Sequence, residues 1–233
     1  MAQACSGSNG SGNGTSGRKS PDFAYERSRM VEFQLSSRGI RDERVLEAMR
    51  KVPRHRFAPD LDPARTYEDR PQPIGHGQTI SQPYIVALMS EAARLTPPCK
   101  VLEVGTGSGY QAAVLAEMGC TVHTIEIVEA LAKRSGEILA AEGYGDRVHG
   151  RAGDGYRGWP EEAPFDAVIV TAAAPRLPEP LLAQLRVGGR LVIPVGQMWQ
   201  VLEVHTRTHE GFEREELSGV RFVPMTGEIR RTR

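Results

Sequence analysis

The chain lacks the features that would place it in several broad functional classes. Its 233 residues hold no apolar run of ~18 or more, so no helix is expected to span a bilayer. Aromatic residues are scarce at 6%, so a core has to be assembled from Val, Ile, Leu and Ala. An excess of either charge is also missing: 29 Lys and Arg balance 29 Asp and Glu. A protein that neutralises phosphates carries a basic excess, which disfavours nucleic acid as the partner. The three cysteines, Cys5, Cys99 and Cys120, are odd in number, widely spaced and without metal-ligand pairing. That pattern suits a reducing compartment, with Cys99 and Cys120 as packed thiols rather than parts of a disulfide framework. The first residues show no basic and apolar leader. A soluble, cytoplasmic protein without a metal centre is the expectation.

What is present changes abruptly near residue 22. Residues 1–21 are mostly Gly, Ser and Asn and cannot offset the entropy of ordering a backbone, so a disordered tail is expected there. Residues 22–233 read as a single domain. Phe23, Tyr25, Met30, Val31, Phe33 and Leu35 recur at helical spacing as far as Gly39, and Val45, Leu46 and Met49 mark a second helix that ends before Pro53. The basic run from Arg50 to Arg56 reads as solvated surface. Between Tyr67 and Ile80, Pro71, Pro73, Gly75 and Gly77 argue against regular structure. Ser81-Gln82-Pro83 then opens a helix, with Ser81 as the candidate N-cap.

From Val101 the pattern becomes regular. Val101-Leu102-Glu103-Val104 is a short apolar strand that runs into Gly105, Gly107 and Gly109, and a helix follows from Tyr110 to Met118. Strands are expected at 121–127, 147–152 and 165–171, the last so apolar that it belongs in mid-sheet. Helices are expected at 128–142 and 177–185, and 190–195 is a further strand. Residues 201–208 and 215–223 alternate as an antiparallel pair. The order predicts an α/β fold: a Rossmann-like, doubly wound, mostly parallel sheet with an antiparallel C-terminal edge and N-terminal helices.

The glycines bring backbone close to a ligand but do not choose it. A dinucleotide fingerprint starting at Gly105 fails at Tyr110, whereas the weaker G-x-G-x-x-A form fits through Gly107, Gly109 and Ala112. Acidic residues narrow the choice. Glu103 ends the first strand, Glu126 the second and Asp154 follows the third, between two glycines. Strand ends share one edge of a parallel sheet, so the three carboxylates are expected to face one crevice. Such a lining suits a ribose diol, an exocyclic amine and a cationic amino group, and it repels a pyrophosphate.

With these residues, VLEVGTGSGY followed by an acidic strand end and GDG resembles the class I S-adenosylmethionine-dependent methyltransferases. The stretch from Pro73 to Tyr84, PIGHGQTISQPY, is similar to the signature of one member family, the protein-L-isoaspartate O-methyltransferases. The likeness extends from about residue 27 to residue 228. It implies a single methyltransferase domain using S-adenosyl-L-methionine, with S-adenosyl-L-homocysteine as product. It further implies Ser81 as the active-site serine and Gln78, Thr79 and Ile80 as the loop over the cofactor's methyl group. By the same likeness, Glu103, Gly105, Gly107 and Gly109 hold the methionine part, Glu126 the ribose, Asp154 and Gly155 the adenine side, and Thr226 borders the cofactor. Val86 stands where animal members have histidine, and the chain stops soon after Thr226. The implied substrates are isoaspartyl-containing proteins and peptides, whose methyl ester collapses to a succinimide on the way to repair, handled by a monomer without nucleic acid or membrane.

The residues suit that chemistry. An acceptor carboxylate with a pKa near ~4 is already ionised at neutral pH and needs no strong base, which agrees with the lack of a Ser/His/Asp arrangement. His76, between two glycines, has no carboxylate partner placed by sequence and is the weaker candidate for a base. A methyltransferase for a small metabolite or RNA is the alternative, and a cofactor-binding protein without turnover is the rival from another class.

Overall fold

The computed structural model describes Met1 and residues 22–231. The expected tail therefore lies, apart from Met1, outside the described residues, and so does Cys5. A helical stretch opens the described segment from residue 22. Helix α1 (Phe23–Arg29) is capped by Asp22, whose Oδ1 accepts Ala24 N at 3.0 Å. It widens to π geometry over Met30–Leu35 and ends where Gly39 turns left-handed at φ 103°. Helix α2 (Glu43–Lys51) is capped by Asp42 and buries Val45, Leu46, Ala48 and Met49. In the basic run after it, Arg50, Lys51 and Arg56 are exposed as expected, but Arg54 is fully buried. Its Nε donates to Thr66 O at 2.9 Å and its guanidinium lies 5.0 Å from the Tyr110 ring centroid.

Residues 72–80 depart from the expected irregular loop. Strands β1 (Gln72–Gly75) and β2 (Gln78–Ile80) form an antiparallel hairpin. His76 and Gly77, at φ 52° and 70°, make the left-handed two-residue turn that matches strand twist. A two-stranded ribbon leaves every second N–H unpaired, so Pro73 costs it nothing. Helix α3 (Pro83–Ala92) follows.

The main sheet has seven strands in the order β5-β4-β3-β6-β7-β8-β9: β3 (Cys99–Val104), β4 (Cys120–Glu126), β5 (Val148–Ala152), β6 (Phe165–Val170), β7 (Leu185–Val195), β8 (Gln200–Arg207) and β9 (Phe212–Val220). The first five are parallel, and β8 and β9 add the antiparallel edge. Helices α4 (Tyr110–Glu117), α5 (Glu129–Ala141) and the short α6 (Glu179–Ala183) complete the alternation. Strand periodicity divides the core in two. Val101, Ala167, Ile169 and Val192 join the cluster packed by α2 to α5, whereas Leu102, Val168, Val170 and Leu191 join the one packed by α6 and the C-terminal segment. As expected, β6 lies at mid-sheet, buried at five of six positions.

The two described cysteines are not separate thiols. Cys99 and Cys120 begin neighbouring parallel strands as partners in register, with Cα atoms 4.5 Å apart, and they form a disulfide. Their separation of 21 residues hid the contact, because spacing alone does not reveal strand register. Among the described residues no helix is long and apolar enough to cross a membrane, and no group of His, Cys, Asp or Glu could hold a metal ion.

Candidate active site

Strands β3, β4 and β6 end on one edge, and the crevice opens there, as the geometry of open α/β sheets requires. Gly105 leaves β3 with φ 100°, its N–H donating to Ile125 O at 2.8 Å. A Cβ at Gly105 would lie 2.4 Å from Thr171 Oγ1, so only glycine fits this turn. Glu126, buried at the end of β4, fixes the loop: Oε2 accepts Gly107 N at 2.8 Å and Oε1 accepts Val128 N at 2.9 Å. Each carboxylate oxygen can accept a further hydrogen bond, and Glu126 lines the crevice.

On the opposite wall stand Gln78, Thr79, Ile80 and Ser81, carried by the hairpin and its exit. Ser81 is not the helix cap. Gln82 occupies that position without a side-chain bond, and the N-terminal amide of α3 is satisfied from elsewhere: Tyr84 N donates to Asp69 Oδ1 at 3.0 Å. Asp69 Oδ2 accepts Gln82 Nε2 at 2.7 Å and is also bonded by Arg38, whose guanidinium lies over the Tyr84 ring. The Ser81 hydroxyl, half-buried on the crevice wall, has no hydrogen-bond partner among the described residues.

Two of the expected site residues are not on the crevice surface. Glu103 is fully buried. Alternation along β3 sends its side chain to the same face as Val101, under the residues of α4, where Thr124 Oγ1 donates to its Oε2 at 2.5 Å and lies 2.6 Å from Thr106 Oγ1. Burial, aided by the nearby Glu126 charge and opposed by the Thr124 bond, pushes the Glu103 carboxyl up to about 8. Burial thus favours the neutral acid, and the carboxyl faces the core under α4 rather than the crevice surface. Gly109 also lies off the lining: its φ of 86° forms the N-cap of α4, and a Cβ there would meet Leu139 at 3.2 Å. His76 is exposed in the hairpin turn and does not line the crevice either.

Asp154 and Gly155 close the far end. A Cβ at Gly155 would lie 2.4 Å from Val104 Cγ1, so the backbone there packs directly on β3. Asp154 Oδ1 accepts Tyr156 N at 3.0 Å and Oδ2 accepts Glu228 N at 2.6 Å. That second bond holds down the C-terminal segment, which Arg157 also grips through two contacts to Glu228 of 2.9 and 2.8 Å. Val223, Pro224, Met225 and Thr226 thereby become a wall of the crevice, with Met225 N donating to Ala173 O at 2.8 Å. Thr106, Tyr110, Gln111, Thr171 and Val86 line the crevice too. Thr171 was recoverable from sequence, since it ends the mid-sheet strand and so shares the edge of Glu126.

The chain as a whole is similar to known proteins. The family model described as protein-L-isoaspartate(D-aspartate) O-methyltransferase matches residues 26–230. The protein-L-isoaspartate O-methyltransferase of Gloeobacter violaceus is 59% identical over 201 residues, covering 85% of this chain and 98% of its own. That of Opitutus terrae is 57% identical over 213 residues, covering 88% and 91%. A solved structure named protein-L-isoaspartate O-methyltransferase aligns at TM-score 0.79 and 27% identity, over 87% of this chain and 67% of its own. One from Plasmodium falciparum, described as a protein-L-isoaspartate O-methyltransferase in complex with S-adenosyl-L-homocysteine, aligns at TM-score 0.76 and 30% identity, over 86% and 98%.

Proposed function

This chain belongs to the protein-L-isoaspartate(D-aspartate) O-methyltransferase family, and on that premise we propose that the crevice between Ser81 and Glu126 is its active site. The enzyme methylates the free carboxylate of L-isoaspartyl residues in damaged proteins and peptides, with S-adenosyl-L-methionine as cofactor, and so initiates their repair.

The lining fits that cofactor. Glu126 offers acceptor lone pairs for a ribose diol, and Gly105 and Gly155, where a Cβ would strike Thr171 and Val104, bring bare backbone to the lining. Gly107, Asp154 and Thr226 would complete the cradle from loop, strand end and C-terminal segment. S-adenosyl-L-methionine, when bound, supplies a sulfonium methyl that the acceptor carboxylate takes as the thioether leaves.

The protein's part is placement. The acceptor is already ionised, so the need is for orientation and exclusion of water as opposite charges cancel in the transition state. Ser81 donates its hydroxyl proton in a hydrogen bond to the acceptor carboxylate and holds it in line, without becoming a covalent nucleophile. Gln78, Thr79 and Ile80 cover the reacting atoms. The observation that carries this assignment is the Ser81 hydroxyl, which lines the crevice yet neither caps α3 nor bonds to the described protein residues. Labelled S-adenosyl-L-methionine offered with matched isoaspartyl and aspartyl peptides tests the function. Label is expected on the isoaspartyl peptide only, and equal labelling or none refutes it. We further propose that residues 22–233 act as one methyltransferase domain, as a cytoplasmic monomer with neither nucleic acid nor membrane as partner.

A further inference from the structure

Met198 and Trp199 are the most exposed large apolar side chains among residues 22–231, at 92% and 88%. They sit side by side at the tip of the turn joining β7 to β8, and no described residue covers them. The turn beneath them is firmly built. Gly196 N donates to Ala174 O at 2.9 Å, and a Cβ at Gly196 would fall 1.9 Å from Trp199 O, so the backbone closes tightly on itself. Gln200 at its far end exchanges two bonds with Phe222, of 2.6 and 3.2 Å, which tie it to the C-terminal segment. A rigid platform thus presents two apolar side chains to solvent, an arrangement that marks binding surfaces.

The surface next to the tip leads back to the crevice. Below it lies a depression of about 510 Å³ lined by Ala173, Arg176, Gly196, Gln197, Pro224 and Arg230. Pro224 lines the crevice as well, and Ala172, which borders the crevice, precedes Ala173, which borders the depression. The depression and the crevice therefore lie on either side of the segment 223–225 where it pairs with Ala173, and they share Pro224.

The occupant follows from the reaction, and this inference rests on the isoaspartyl methyltransferase reading. An isoaspartyl residue inside the crevice belongs to a polypeptide that has to leave it, and the depression beneath the tip lies just across Pro224 from the crevice. Damaged sites occur in many sequences, so contacts to flanking residues have to tolerate variety. A flexible thioether and a large indole provide such contacts without demanding a partner of fixed shape. We propose that Met198 and Trp199 dock the extended polypeptide flanking the isoaspartyl residue of the substrate.

Two substrates test this: a blocked isoaspartyl tripeptide, and a decapeptide with the same three residues at its centre. Met198→Ser with Trp199→Ser is expected to raise KM for the decapeptide about tenfold, in keeping with loss of a contact Trp. The kcat, the tripeptide kinetics and the affinity for S-adenosyl-L-homocysteine are expected to match wild type. Since Trp159 is the other tryptophan, Trp159→Phe makes Trp199 the sole reporter, and its fluorescence is expected to shift with decapeptide and not with tripeptide. Unchanged KM for both peptides, or an equal loss on both, overturns the proposal. So does a double variant that differs from wild type only by losing a dimer in sedimentation. A wild-type enzyme inactive on both peptides instead refutes the methyltransferase reading, and this inference falls with it.

Discussion

Ser81 and Glu126 face the same crevice but are held in opposite ways, and substitution should separate their roles. The Ser81 hydroxyl makes no bond to the described residues, and α3 is capped without it. Ser81→Ala should therefore leave the thermal midpoint unchanged, whereas loss of a true N-cap would cost about 1 kcal/mol. Methyl transfer should fall roughly ten- to hundredfold, the worth of a hydrogen bond to a charged acceptor. Melting curves and initial rates measured together decide it, and a lower midpoint with normal turnover would make the serine structural. Glu126 is committed on both oxygens, to Gly107 N and Val128 N. Glu126→Gln turns one oxygen into an NH2 facing a donor, so it disturbs the glycine loop as well as the ribose contact. Calorimetry should find S-adenosyl-L-homocysteine bound at least about tenfold more weakly.

At the scale of elements, the loop that presents Ser81 depends on a residue it does not contain. Asp69 accepts Tyr84 N, Gln82 Nε2 and Arg38, so it fastens the hairpin exit to the start of α3. Asp69→Asn brings an amide donor against these donors. Stability should drop by about 1 kcal/mol, and kcat/KM should fall although Asp69 does not line the crevice. Equal kcat/KM in a less stable variant would reduce the tether to a structural one. Nothing in the sequence reveals Asp69, because a capping carboxylate fifteen residues away leaves no local pattern. The alternation of strand and helix after Val101 was legible, since buried parallel strands need unbroken apolar runs and the glycines punctuate them. The hairpin at 72–80 was not, because its proline and glycines signal a loop and only the pairing shows that they suit a two-stranded ribbon. Glu103 was legible only in part, for a related reason. Its place at a strand end was visible, but the face its side chain takes depends on register with Thr124 and on the cover from α4. Register likewise concealed the Cys99–Cys120 bond.

The buried Glu103 affects the stability of the whole molecule. Unfolded, its carboxyl ionises near 4.5, whereas burial in the fold raises it to about 8. Below the lower value both states carry the proton, and the folded state bears no cost for it. Between the two values the unfolded chain has released a proton that the fold retains, so the unfolded state gains with each rise in pH. The contribution of Glu103 is therefore fully present in acid and is lost as pH climbs toward about 8. Glu103→Gln keeps the shape and cannot ionise. Relative to the variant, the wild type should lose a few kcal/mol of unfolding free energy between about pH 5 and 8, since each pH step of one across that window is worth about 1.4 kcal/mol. His55 and His123, both held below the ordinary histidine value by burial, are common to both proteins and cancel in the difference. Glu203, where hydrogen bonds from Arg214 and His205 outweigh burial, and Glu228, held low by its bond from Arg157, titrate below it. Denaturant curves for the pair across this range should converge or cross as pH rises. Curves that stay parallel would mean that Glu103 is already ionised in the native protein, with a partner for the oxygen that now has none.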